Sequence, residues 1–152
     1  MNIGDTIQDC RWLDQITKPQ DTAILFVLYD MMKYFDRDGL RQFLDAIWKK
    51  FPGAEVVFDA KNSVAKHKWN RSIFSGRNKG SMLRLSIDNC TSLIYDWNIK
   101  YKILYDETVL KQEDLERMLS RKEAKGFRHA MKKKYDKIIH LRRGTEHFLD
   151  NI

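Results

Sequence analysis

A chain of 152 residues with 43% hydrophobic and 12% aromatic content has the size and apolar fraction of one globular domain, which excludes a disordered polymer. The longest apolar run, residues 23–28, is far shorter than the roughly 20 residues that span a bilayer, and the first ten residues show no basic-then-apolar signal, so a soluble cytoplasmic protein without membrane partners is expected. The formal charge of +7 is local: residues 121–143 hold ten Lys or Arg against Glu123 and Asp136, a net of +8, leaving the rest at −1.

Cys10 and Cys90 lie far apart without His or Cys at zinc-ligand spacing, and are expected to be reduced packing residues. Residues 23–28 read Ala-Ile-Leu-Phe-Val-Leu, a continuous apolar run that predicts a central strand covered on both faces of a parallel sheet. Asp36 is placed to cap a helix reaching residue 51, with Leu40, Phe43, Leu44 and Ile47 on one face and Lys49 and Lys50 in its last turn. Pro52-Gly53 stops it, and residues 55–59 are a second strand, so 24–59 forms a strand, helix, strand unit. A short helix is predicted over 63–71 within a polar stretch that runs to residue 89. A third strand follows over 101–108, a long helix over 111–132 and a fourth strand over 135–142. The sheet core is assigned to 3–60 and 100–143, an insert to 61–99 and a tail to 144–152. Because only 23 residues precede the first strand, the sheet is expected to be truncated on that side.

In open parallel sheets ligands bind beyond the carboxyl ends of the strands, which here are the turns at Tyr29-Asp30-Met31 and at residues 59–62. Capping of local turns is the competing role for Asp30 and Asp59. The seven glycines nowhere form G-x-G, so no phosphate or dinucleotide cradle is encoded. No histidine pairs with an acid at zinc-site spacing, no metal site is expected, and His67 reads as an ordinary loop histidine.

Asp9 three residues before Trp12, the strand ILFVLYDMMKYF at 24–35, the block FPGAEVVFDA at 51–60, and RLSIDN at 84–89 followed by Trp97 resemble the C-terminal half of the leucine carboxyl methyltransferase and tetracenomycin-type polyketide O-methyltransferase family. The resemblance covers residues 4–142 and is most specific in the 51–60 block. It implies an α/β fold, the C-terminal part of a Rossmann-like class I methyltransferase sheet, mostly parallel with an antiparallel last pair. It also implies S-adenosylmethionine as cofactor and a carboxyl or phenolic oxygen, on a small molecule or a protein, as methyl acceptor.

Carried onto this chain, the family's cofactor contacts fall at Thr6, Ile7, Tyr29 and Asp30. Tyr29 stands where the family has an acid and Asp30 where it has a small residue. The glycine-rich turn of the family's first half has no counterpart, so the isolated chain is expected to bind the cofactor weakly or not at all. The resemblance places the substrate side in the insert, where Trp69, Arg71 and Arg84 are the candidates, an arginine being suited to bidentate grip of a carboxylate. No catalytic residue is assigned.

Two other functions compete. A binding module would use Lys125, Arg128, residues 132–134, Arg142 and Arg143 on phosphates, with Phe127 and Tyr135 stacking. Leu115, Met118 and Leu119 instead suggest a core stripe, so nucleic acid is not the expected partner. An inactive pseudoenzyme would complete its sheet by self-association or with a separate N-terminal half.

Overall fold

The computed structural model describes residues 7, 9–17, 22–97, 101–108 and 117–143. Four strands, β1 (Leu25–Leu28), β2 (Glu55–Lys61), β3 (Tyr101–Thr108) and β4 (Asp136–Arg143), form one open sheet in the order β1-β2-β4-β3. The helices are α1 (Arg37–Lys50), α2 (Ser63–Phe74), α3 (Cys90–Asp96) and α4 (Arg121–Lys132), with 3-10 turns at Cys10–Gln15 and Met32–Tyr34. The chain is therefore α/β, as expected.

The expected mostly parallel sheet is not what forms. Only β1 and β2 are parallel; β4 enters between β2 and β3 and runs antiparallel to both, so the sheet is mixed. The antiparallel last pair is present, with a bulge at Leu104 between Ile103 and Tyr105.

Strand β1 is likewise not central. It sits at an edge, hydrogen-bonded among the described residues to β2 alone. Phe26 and Leu28 turn inward, whereas Leu25 is 53% and Val27 64% exposed. Its unbroken apolar composition therefore reflects one packed face and one open face rather than two packed ones. Leu25 and Val27, each more than half exposed, forgo roughly half of the ~1.5–3 kcal/mol that full burial would contribute.

The packed face explains what holds the fold. Phe26, Leu28, Val56, Phe58, Ala60, Ile139 and Leu141 project from three strands onto α1, whose Leu40, Phe43, Leu44, Ile47 and Trp48 are all buried. Asp36 starts that helix by accepting a hydrogen bond from the Gly39 N–H at 2.7 Å, and Lys49 and Lys50 complement its carboxyl end. Trp12 closes the cluster, its ring centroid 6.4 Å from Phe26 and 6.1 Å from Phe43.

Helix α3 was not anticipated. Asn89 caps it through the Ser92 N–H, and Cys90, Leu93, Ile94 and Trp97 deliver one apolar face into the core. Helix α2 runs three residues longer than predicted.

The long helix predicted over 111–132 is broken within its described part. Ser120 and Glu123 form a reciprocal capping box that starts α4 afresh at Arg121. Leu115 lies outside the described residues, and Met118 is 80% exposed rather than part of a core stripe. Among the described residues no helix is long and apolar enough to cross a membrane.

Candidate functional site

The carboxyl ends of the two parallel strands open into a cavity of about 640 Å³. Tyr29 and Asp30 leave β1, Lys33 and Tyr34 follow in the 3-10 turn, and Asp59 and Lys61 come from β2. Trp69 of α2, the 79–83 loop, Thr108, Asp136 and one face of α4 (Phe127, Ala130, Met131) complete the walls.

Local chemistry fixes the strand ends. Asp30 has φ 54, a left-handed conformation that Asp tolerates better than most residues. That turn directs the Asp30 N–H onto Asp59 Oδ1 at 2.7 Å, tying the two strand ends together. Lys33 Nζ donates to Asp30 Oδ2 at 2.7 Å, and the carboxylate holds the lysine above its usual pKa. Lys61 pairs with Asp136, and its ammonium lies 5.8 Å from the Trp69 ring centroid. Tyr29 is 81% exposed at the cavity mouth.

The opposite wall depends on a close approach. Trp69 Nε1 donates to the Ser81 carbonyl at 2.9 Å, and Asn70 exchanges two hydrogen bonds with the Leu83 backbone at 2.7 and 2.9 Å. A Cβ on Gly80 would meet Trp69 Cζ2 at 2.8 Å, so only glycine lets the loop lie this close to the ring. Asn62 caps α2 through the Ala65 N–H, and its amide also donates to the Lys133 carbonyl at 2.9 Å, joining α2 to the end of α4.

Of the residues singled out in the sequence, Tyr29, Asp30 and Trp69 meet at this cavity. Arg71 and Arg84 are exposed and do not line it; the Arg84 carbonyl instead accepts from Lys66 Nζ at 3.2 Å. Ile7 packs against the core, and Thr6 lies outside the described residues. His67 is an exposed residue of α2, not of a loop. Asp59 and Lys61, of the turn expected at 59–62, also line the cavity, whereas Lys33, Asp136, Phe127 and Met131 were not foreseen as wall residues. The pairing of β4 with β2 brings Asp136 beside Lys61, a juxtaposition that no local pattern announces.

Among the described residues no group of three His, Cys, Asp or Glu is placed to hold a metal ion. The fit to S-adenosylmethionine is incomplete. The acid at the end of β1, Asp30, is already paired with Lys33, and Tyr29 offers a phenol where a carboxylate would meet a cofactor's hydroxyls or amine. Gly80 yields its space to Trp69, and the positive-φ glycines Gly53 and Gly76 do not line this cavity.

The arrangement offers aromatic walls, three acids and three ammonium groups, which suits binding and alignment of a polar small molecule more than acid–base attack. No protein-family model matches the chain, and no curated protein matches it.

Proposed function

We propose that this chain is part of an S-adenosylmethionine-dependent O-methyltransferase, acting in the cytoplasm, in which the cavity receives the methyl acceptor, a carboxylate or phenol of a small molecule or protein. The observation that carries the reading is the convergence of Tyr29, Asp30 and Trp69 on one cavity at the carboxyl ends of a parallel strand pair. The sheet's antiparallel last pair supports it, since the sequence resemblance implies that arrangement for the last two strands.

In this reading the chain's residues bind and orient. Trp69 and Phe127 flank a planar acceptor, and the lysines of the wall favour an anionic oxygen over its protonated form. No described residue is required as a strong base, because a carboxylate or phenolate oxygen with its lone pair aligned already serves as the nucleophile.

The test is a nuclear magnetic resonance titration of the chain with S-adenosylhomocysteine and with simple aromatic carboxylates and phenols. Acceptor compounds are expected to shift the amides of residues 29–34, 59–61 and the Trp69 indole, with the nucleoside binding weakly. Acceptor shifts confined to other regions would contradict the proposal, whereas tight saturable nucleoside binding by the monomer would contradict only the expected weak hold on the cofactor.

A second reading is favoured by one observation, the edge of β1 that has no strand partner among the described residues, with Leu25 and Val27 exposed. An assembly module or inactive relative that pairs with another chain would cover that edge. Sedimentation at micromolar concentration separates the two: a stable monomer with cooperative unfolding removes the pairing reading, and self-association supports it.

A further inference from the structure

We infer that the outer face of α4 is a docking surface for the phosphate backbone of nucleic acid, bound without regard to base sequence. Arg121, Lys125, Arg128 and Lys132 follow one another at spacings of four, three and four residues, which places them in a single stripe along the helix. Over those eleven steps the stripe extends about 16 Å. All four side chains are exposed, and among the described residues none has an ion pair or hydrogen bond.

Several cations elsewhere, among them Lys33, Arg37, Lys50, Lys61, Lys137 and Arg142, sit beside an acid; what sets α4 apart is that its exposed cations align in one stripe. On α4 the single acid, Glu123, is used by the Ser120 cap. Like charges one turn apart repel and weaken a helix, so the stripe works against local stability and a bound anion would relieve it.

Three partners carry enough negative charge, and the helix discriminates among them. A membrane-surface helix directs its apolar side outward, but here Phe127 and Met131 turn to the cavity and Ala124 is buried, leaving no apolar residue in the basic stripe. A protein partner would need aromatic or aliphatic anchors within the patch, and the stripe has none. Nucleic acid remains, since its regularly repeated charge is bound through ammonium and guanidinium groups alone, the two arginines adding bidentate contacts. Phe127 lines the cavity and Tyr135 lies under Lys68, whose ammonium is 4.4 Å from its ring, so neither offers a base a stacking platform. Binding is therefore to backbone and not to bases.

The test is fluorescence anisotropy of the full chain with a labelled single-stranded RNA and with a DNA duplex across a salt series. Four phosphate contacts predict a log–log slope of about −3 for the single strand. Lys125→Gln with Arg128→Gln is expected to lower affinity about tenfold at low salt and to flatten the slope by about 1.4. Glutamine is a good helix former, and circular dichroism melts confirm that both variants fold. The control, Arg37→Gln with Arg41→Gln, removes the same charge from α1 and should leave the slope unchanged.

Equal losses in both pairs would reduce the effect to bulk charge and overturn the proposal. So would the absence of binding at low salt, competition by polyglutamate as effective as by RNA, or equal binding to phosphatidylserine vesicles at matched charge.

Discussion

Helix α4 and strand β4 are neighbours in sequence and share one basic charge run, yet α4 buries only Ala124 whereas β4 buries Lys137, Ile139 and Leu141 between two antiparallel partners. Even the lysine inside is accommodated. Lys137 is 2% exposed, its ammonium 2.9 Å from Asp106 Oδ1 and 3.2 Å from the Asp88 carbonyl. The α4 cations Arg121, Lys125, Arg128 and Lys132 have no ion pair among the described residues. A run of like charges thus carries no single meaning: strand alternation takes part of it into the core, and helical periodicity displays the rest.

The largest expected effects separate the two elements by stability. Ile139→Ala, at a fully buried site, should cost about 2–5 kcal/mol in urea unfolding, while Arg128→Gln should change stability by less than about 0.5 kcal/mol. Lys137→Met leaves Asp106 without its cation and should cost about 3 kcal/mol; adding Asp106→Asn should recover much of that loss. Equal sensitivity of α4 and β4 would break the comparison.

Next comes pH, which acts on the two elements from opposite ends. Beside Lys137, burial pushes the Cys90 thiol up to about 12, with the Asp106 carboxylate adding to the effect and the Lys137 ammonium opposing it. Burial, helped by the Asp45 carboxylate, likewise raises the Tyr101 hydroxyl. A raised folded pKa means that stability is intact below the unfolded value and is lost as pH climbs through the folded one. The Cys90 contribution should therefore disappear between about pH 9 and 12, costing about 2 kcal/mol by pH 10.5. Unfolding midpoints across that range, with and without Cys90→Ala, measure it.

At α4 the Ser120 hydroxyl holds Glu123 below its usual pKa of 4.5, so the cap's contribution is present above that value and is lost as pH falls. Ser120→Ala should cost about 1 kcal/mol by thermal unfolding and remove the acid sensitivity of the helical signal. The smallest expected change is a gain. Gly126 sits within α4 with nothing within 4 Å of a Cβ, and Gly126→Ala should stabilise by about 0.5–1 kcal/mol.

Much of the scaffold was legible in the sequence because its signals are local. Asp36, the 3-4-7 spacing of α1 and Pro52-Gly53 fix that helix within a residue, and alternation in β4 placed Ile139 and Leu141 together opposite Ile138. What was missed has two origins. Asn89 with Cys90, Leu93, Ile94 and Trp97 is a local signal just beyond the stretch read as polar, in a segment given no element, and the Ser120-x-x-Glu123 box lies inside a stretch read as continuous helix. The edge position of β1 and the cavity wall from β4 and α4 depend on which strands pair, and nothing short-range encodes that. Tyr29 and Asp30 follow from a strand end, whereas of the insert candidates only Trp69 lines the cavity, because which side of α2 or of the 79–84 loop faces it depends on tertiary packing.

Amide hydrogen exchange across residues 121–143 tests the central contrast most directly. The account predicts that β4 amides at 138–141 exchange only through global unfolding, while those of α4 exchange through local opening at a small fraction of that free energy. Helix amides as protected as the strand's would contradict it and would make the α4 stripe part of a rigid core element.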